Sequence, residues 1–169
     1  MQMMYYGAQY YRPPFPNEEV WKRDILHMKE LGFTCVKHWA MWNWIEKEPG
    51  KFDFSELDKL IRISKEAGLS VIINTIPEGA SGGWPGLCMD NPEFAGLVAR
   101  FIRETARHYR DENAVEIIDV WNEPHLEPMY DYRSNILCYC EYSKEEFRKW
   151  LKNKYQTIEE LNKKWIRTY

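Results

Sequence analysis

The residues best suited to chemistry lie in the segment Trp121-Asn122-Glu123-Pro124. Glu123 closes an apolar run, and Pro124 prevents that run from continuing as a strand. A carboxyl group held against an aromatic wall can stay protonated near neutral pH, because its pKa is raised, and can donate its proton to a leaving oxygen. Asn122 can hydrogen-bond a sugar hydroxyl, so the Asn-Glu pair suits acid/base cleavage of a glycosidic bond. The alternative is that Glu123 caps the next segment or pairs with a lysine.

The chain is unusually rich in aromatic residues, which make up 15% of it as 8 Trp, 11 Tyr and 7 Phe. Flat apolar rings with polar edges suit the faces of sugars. Trp39 and Trp121 are the candidate sugar contacts, because the first follows a predicted strand and the second precedes the Asn-Glu pair. Trp42 and Trp44, two residues apart in a predicted loop, are expected to pack together beneath it instead.

Three cysteines, Cys88, Cys138 and Cys140, raise the question of a metal site. A Cys-x-Cys pair with a distant third cysteine can supply three thiolates to a structural zinc ion, but a tetrahedral site needs a fourth ligand. The fourth ligand is the weak point of this hypothesis, so we favour reduced, partly buried thiols. No cofactor is expected to be required for activity.

Composition and charge exclude several classes of partner. The 169 residues are 44% hydrophobic and 29% charged, which is typical of a globular protein. Lys and Arg number 23 against 26 Asp and Glu, a formal charge of −3, so no basic field is available for nucleic acid or an anionic membrane. The sequence shows no long apolar run and no signal-peptide pattern at its start, which predicts a cytoplasmic protein.

Four β-strands are predicted to alternate with three helices. The helices are expected to begin near Asn17, Ser55 and Asn91, and two further helices follow capping boxes at Ser143 and Thr157. Strands separated by helices at these spacings imply βαβ crossovers and a parallel sheet, so the fold class is α/β with one domain over residues 1–169. The strands are predicted at residues 5–11, 33–37, 71–74 and 115–121, with the last two apolar on both faces.

In parallel α/β proteins the chemistry lies beyond the carboxyl ends of the strands. Glu123 occupies such an end, which favours the acid/base interpretation over the capping one. The other predicted strand ends also carry polar or aromatic residues, namely residues 9–11, His38 with Trp39, and residues 74–78.

Several motifs occur in order along nearly the whole chain: residues 5–11, the pattern Glu48-Pro-Gly-x-Phe-Asp-Phe54, residues 83–88, and Val120-Trp-Asn-Glu-Pro-His125. Together they resemble the N-terminal half of a family 42 β-galactosidase, a glycoside hydrolase of the clan of (β/α)8 retaining glycosidases. The resemblance implies the first half of a TIM barrel, with about four parallel strands and crossover helices, and hydrolysis of terminal β-D-galactosides. It also implies that Asn122 contacts the sugar 2-hydroxyl and that Glu123 is the general acid/base.

The chain departs from that family pattern in two ways that matter for chemistry. A barrel of this type has eight strands, and the resemblance places the nucleophilic carboxylate on strand seven, so we expect a truncated barrel without it. Glu127 and Glu141 follow strand four too closely to replace it. Ser143 stands where some family members have a further cysteine, and serine is a poor zinc ligand.

Two alternatives to a β-galactosidase stay open at this point. The first is another glycosidase of the clan, acting on β-glucosides, β-mannosides or arabinosides. The second is a non-catalytic half-barrel that binds sugar or assembles with itself. Four parallel strands cannot close such a barrel, so the unpaired edges predict self-association and little activity for this chain alone.

Overall fold

The computed structural model describes residues 4–76, 88–122 and 139–168. None of the helices in these ranges has an apolar stretch of the length that a membrane crossing requires. The strands are β1 (Gly7–Tyr11), β2 (Cys35–Met41), β3 (Ser70–Ile76) and β4 (Val115–Asp119), and the helices are α1 (Glu18–Glu30), α2 (Trp42–Ile45), α3 (Ser55–Glu66), α4 (Pro92–Tyr109), α5 (Glu141–Tyr155) and α6 (Ile158–Trp165).

The chain groups into two compact units. One comprises Met1–Pro85 with Val98–Pro124 and contains the whole sheet, and the other comprises Gly86–Leu97 with His125–Tyr169. The expectation of a single domain over the whole chain stays a prediction.

The four strands form one parallel sheet in the order β1-β2-β3-β4, which confirms the predicted α/β class. The pairing of β2 with β3 is continuous from Cys35 opposite Ser70 to Met41 opposite Ile76. The pairing of β1 with β2 contains a register shift, because Gln9 lies opposite Lys37 whereas Tyr11 lies opposite His38. Tyr10 is therefore the extra residue of a β-bulge.

One face of the sheet packs against helices and forms the core. Successive strand residues point to opposite faces, so alternate residues of β2 and β3 are buried on this side. On the helices, Trp21 and Ile25 of α1 are buried, and so are Leu57, Leu60 and Ile61 of α3. The fully buried strand residues on this face are Val36, His38, Ala40, Val71, Ile73 and Thr75.

His38 lies in this core and not beside the predicted site. Its Nε2 lies 3.0 Å from the hydroxyl of Ser64 in α3, and that hydroxyl donates to the carbonyl of Leu60 at 2.9 Å. Nε2 therefore carries the proton, and Nδ1 is buried without a partner. Burial lowers the pKa of His38 to about 3, so the ring is neutral.

The structure corrects the predicted limits of all four strands. β1 begins at Gly7 and not at Tyr5, and β3 spans Ser70–Ile76 rather than residues 71–74. β2 continues to Met41 because β3 pairs with it as far as Ile76, so His38 and Trp39 lie within the strand and not after its end. β4 ends at Asp119, and its Ile117 is 38% exposed because β4 is an edge of the sheet, so it is not buried on both faces.

The capping predictions had mixed outcomes. Thr157 caps α6, because its hydroxyl accepts from the amide of Glu160. The prediction for Ser143 is wrong, because α5 begins two residues earlier and the sulfur of Cys140 is the acceptor at its N-cap. Ser55 is the first residue of α3 rather than its cap.

Glu46 anchors the loop that follows β2. Its carboxylate is 1% exposed and pairs with the guanidinium of Arg100 in α4. It also accepts hydrogen bonds from the indole of Trp42 and the amide of Gly50. The Trp42 ring stacks on Phe101 of α4 with centroids 5.6 Å apart, and its predicted packing with Trp44 stays a prediction.

We expect Glu46→Gln to lower the free energy of unfolding by about 2 to 3 kcal/mol, because it leaves the Arg100 guanidinium without its buried counter-charge. The measurement is denaturant unfolding followed by tryptophan fluorescence. Glu48→Gln is the matched control: Glu48 pairs with Lys51 on the surface, so its replacement changes stability by less than about 0.5 kcal/mol. Equal effects of the two substitutions would contradict the anchoring role.

The buried neutral ring of His38 makes stability depend on pH. The folded chain holds His38 unprotonated down to about pH 3, whereas the unfolded chain takes up the proton below the ordinary value of 6.5. Stability is therefore lost as the pH falls below about 6.5, by about 1.4 kcal/mol per pH unit for this one group. The slope of unfolding free energy against pH should decrease by that amount in His38→Gln and stay unchanged in the exposed control His27→Gln. An unchanged slope in His38→Gln contradicts the assignment.

Candidate active site

The face of the sheet opposite the helices carries a row of polar and aromatic side chains. His38 and Ala40 of β2 point to the helices, so Lys37 and Trp39 point to the other face. The register places Asn74 of β3 between Trp39 and Asp119 of β4. Side chains from three neighbouring strands therefore meet near the carboxyl ends, where the sequence analysis expected a site.

The amide of Asn122 is oriented by two of these side chains. Its Oδ1 accepts a hydrogen bond from Nδ2 of Asn74 at 3.1 Å, and Nζ of Lys37 lies 3.4 Å from the same oxygen. Asn74 is fully buried, so its position is fixed by the sheet. Two donors at the oxygen fix the direction of the amide, and its NH2 group is then the end that can donate to a sugar hydroxyl.

An ion pair supports this arrangement. Nζ of Lys37 lies 2.8 Å from Oδ2 of Asp119, and the two side chains are only 20% and 33% exposed. The hydroxyl of Thr75 donates to the carbonyl of Val120 at 2.8 Å and lies 3.2 Å from that of Asp119. Side chains of β2 and β3 thus hold the short segment that leads from β4 to Glu123.

Trp39 is fixed on the same face, but its surroundings differ from the prediction. Its indole N–H donates to Oε1 of Gln9 at 2.8 Å. The guanidinium of Arg12, directly after β1, lies 4.4 Å from the centroid of the ring and covers one face of it. Contact between Trp39 and a sugar stays a prediction, and it applies to the part of the indole ring that Arg12 does not cover.

The structure places two of the predicted site residues but not the acid/base. Glu123 lies outside the described residues, so its predicted role is neither confirmed nor contradicted. Trp121 is half-buried just after β4, and its amide donates to Oδ1 of Asp119 at 3.4 Å. Its predicted sugar contact also stays a prediction.

The cysteine cluster lies in the other unit. The sulfurs of Cys88 and Cys140 are 3.2 Å apart, and the Ser143 amide donates to Cys140, which lowers the pKa of the Cys140 thiol to about 7. The Ser143 hydroxyl donates to Asp90 at 2.7 Å. Cys138 lies outside the described residues. Within the described ranges no three His, Cys, Asp or Glu residues form a metal-binding group, so the zinc hypothesis stays untested.

Sequence reasoning missed Lys37, Asp119 and Arg12. The available signal was the alternation along β2, since a lysine and a tryptophan two residues apart in an apolar strand share a face. Asp119 was hidden inside a run that was interpreted as buried on both sides. Arg12 gave no signal in the sequence, because its contact with Trp39 depends on strand pairing.

We expect a measurable coupling energy between Lys37 and Asp119. In a double-mutant cycle of Lys37→Met and Asp119→Asn, denaturant unfolding should give a coupling of about 1 to 2 kcal/mol, because the partly buried pair is weakly screened. The control pair, Lys59 and Glu18, has a similar distance of 2.9 Å but greater exposure, so its coupling should stay below about 0.5 kcal/mol. No difference between the cycles would contradict the supporting role of the pair.

Known proteins match this chain over nearly its whole length. Beta-galactosidase LacZ from Heyndrickxia coagulans is 31% identical over 97% of this chain and 27% of its own length. Beta-galactosidase BgaB from Geobacillus sp. (strain Y412MC61) is 30% identical over 95% of this chain and 26% of its own length. The chain thus spans about a quarter of the curated relatives that it matches.

Solved structures and a family model agree with these relatives. The beta-galactosidase from the haloarchaeon Halorubrum lacusprofundi superposes with a TM-score of 0.74 at 25% identity, over 96% of this chain and 27% of that one. The Glyco_hydro_42 family model, described as beta-galactosidase, matches residues 10–86 and 78–169. The chain therefore belongs to glycoside hydrolase family 42, and its four strands are part of the TIM barrel of that family.

Proposed function

We propose that this chain is part of the catalytic barrel of a β-galactosidase that hydrolyses terminal β-D-galactosides with retention. Membership of family 42 supports the proposal, as do the names of the relatives, which are beta-galactosidases. Because the chain spans about a quarter of those relatives, the activity is proposed for the complete barrel. A cytoplasmic location and self-association through the open sheet edges also stay predictions.

The observation that carries the proposal is the oriented amide of Asn122. Asn74 and Lys37 hold its oxygen, so the amide nitrogen is available to donate to an acceptor such as the sugar 2-hydroxyl. Hydrogen bonds to this hydroxyl strengthen in the oxocarbenium-like transition state of glycoside hydrolysis. An amide held by a buried partner loses little freedom on binding, so it can supply that contact at small entropic cost.

Glu123 follows Asn122 directly, and we assign it the general acid/base role. As acid, it gives its proton to the glycosidic oxygen while the bond from that oxygen to the anomeric carbon breaks. A second carboxylate, from a part of the barrel outside these four strands, attacks the anomeric carbon and forms the glycosyl-enzyme bond. Glu123, now ionised, takes a proton from the water that cleaves this bond and releases the sugar.

In any form of the protein that hydrolyses β-galactosides, we expect Glu123→Gln to lower kcat/KM for lactose by about 10²- to 10⁴-fold, because the proton donor is lost. An aryl β-galactoside with a good leaving group needs little protonation, so its first step should be affected less. Asn122→Ala should slow both substrates, and the exposed control Asn153→Ala neither. Unchanged lactose turnover in Glu123→Gln would overturn the assignment.

A further inference from the structure

Arg12 forms an ordered stack with Trp39 at the carboxyl end of β1. Gln9 accepts the hydrogen bond from the Trp39 indole, and the Arg12 guanidinium lies over the indole ring at 4.4 Å from its centroid. The backbone of Arg12 is also held, because its N–H and C=O both bond to Phe15 across a tight turn. The guanidinium is therefore positioned from both ends, by its backbone and by the ring beneath it.

The N–H groups of this guanidinium are not used within the described part of the chain. The Cζ atom lies over the Trp39 ring, and the five N–H donors of a guanidinium lie in its own plane. Among the described residues no carboxylate pairs with Arg12, and the residue is exposed. An exposed, ordered guanidinium with unpaired donors suits bidentate binding of an oxyanion.

Lys37, the second cation on this face, differs from Arg12 because it has a carboxylate partner. Lys37 is paired with Asp119 at 2.8 Å, so its charge is compensated inside the protein. The charge of Arg12 has no such compensation from described residues. Of these two cations, Arg12 is the one whose charge no described residue compensates, although the whole chain carries a formal charge of −3.

The spacing between Arg12 and Asn122 fits a substituted sugar. Trp39, beneath Arg12, is the register partner of Asn74, and Asn74 donates to Asn122. Arg12 thus contacts the β2 member of this pair and Asn122 the β3 member, and neighbouring strands are about 4.8 Å apart. A hexose ring with one charged substituent is long enough to reach both.

We infer that Arg12 is a specificity-determining residue that favours β-galactosides carrying an oxyanion, a carboxylate or a sulfate, on the galactosyl unit. The inference rests on the proposed function, since Asn122 must hold the same sugar. Because the guanidinium covers one face of the Trp39 indole, the ligand contacts the guanidinium on that side. Two of its N–H groups donate to two oxygens of the anion.

The test compares the affinities of three ligands for the 169-residue chain at low ionic strength, by titration calorimetry. The ligands are methyl β-D-galactoside, its 6-sulfate and the corresponding methyl β-D-galacturonide. We expect the two anionic ligands to bind about tenfold more tightly than the neutral one, and 0.5 M salt to reduce this preference. The sulfate and carboxylate arms show which oxyanion fits better.

Variants of Arg12 test the assignment. Arg12→Gln should remove the tenfold preference for the anionic ligands over the neutral one, and Arg12→Lys should keep only part of it because the fork is lost. Arg110→Gln is the matched control, an exposed arginine that pairs with its neighbour Asp111. Since Arg12 is exposed, the free energy of unfolding of each variant is measured to confirm that it folds.

The outcomes separate the inference from the proposed function. If the chain binds the neutral galactoside without a preference for the anionic ones, or if the preference persists in Arg12→Gln, the inference is overturned and the proposed function stands. If inorganic sulfate alone binds as tightly as the sulfated galactoside, the site recognises an anion and not a sugar, which also overturns the inference. If Asn122→Ala leaves the neutral affinity unchanged, the sugar contact proposed for Asn122 fails and the inference fails with it. If no galactoside binds this chain, the inference is overturned, whereas the proposed function, which concerns the complete barrel, stands.

Discussion

The continuous parallel pairing of β2 with β3 is the constraint on which the other features of the sheet unit depend. Seven consecutive residue pairs, from Cys35 opposite Ser70 to Met41 opposite Ile76, fix the side to which every side chain of both strands points. A slip of one residue in β2 would move Lys37 into the helix-packed core and expose His38, and a slip in β3 would do the same to Asn74 and Ile73. Burying a lysine without a partner costs several kcal/mol, so the same hydrophobic pattern that builds the core also selects the face that carries the candidate site.

Two ion pairs extend this order to the segments that follow the strands. Glu46 and Arg100 hold the loop after β2, and Lys37 and Asp119 hold the end of β4. Lys37 and Asp119 lie on β2 and β4, and Glu46 directly follows α2. Additional hydrogen bonds to the carboxylates of Glu46 and Asp119 satisfy their remaining oxygens. The segment after β2 and the end of β4 thus acquire fixed positions from charged groups.

The sequence was sufficient for the fold class, because apolar strands and capped amphipathic helices alternate with clear period changes. It also located Asn122 and Asn74 near strand ends, since polar residues that terminate an apolar run are conspicuous. It could not locate Lys37 or Asp119, because the partner of a charged residue inside a strand depends on the register with the neighbouring strands. His38 was misplaced for a related reason: the carboxyl-terminal limit of β2 is set by its pairing with β3, whereas a histidine and a tryptophan interrupt the apolar pattern from which strand limits are inferred.

The bulge at Tyr10 changes the faces to which the side chains of β1 point. Gln9 and Tyr11 are two residues apart, and ordinary alternation would assign them to the same face. The extra residue separates them, so Gln9 lies opposite Lys37 and reaches Trp39, whereas Tyr11 packs against Trp21 with ring centroids 5.5 Å apart. Because of the inserted residue, Gln9 and Tyr11 lie on opposite faces of the sheet although they are two residues apart. An alignment that places a gap elsewhere in this segment would exchange the two roles and assign a core tyrosine to substrate recognition.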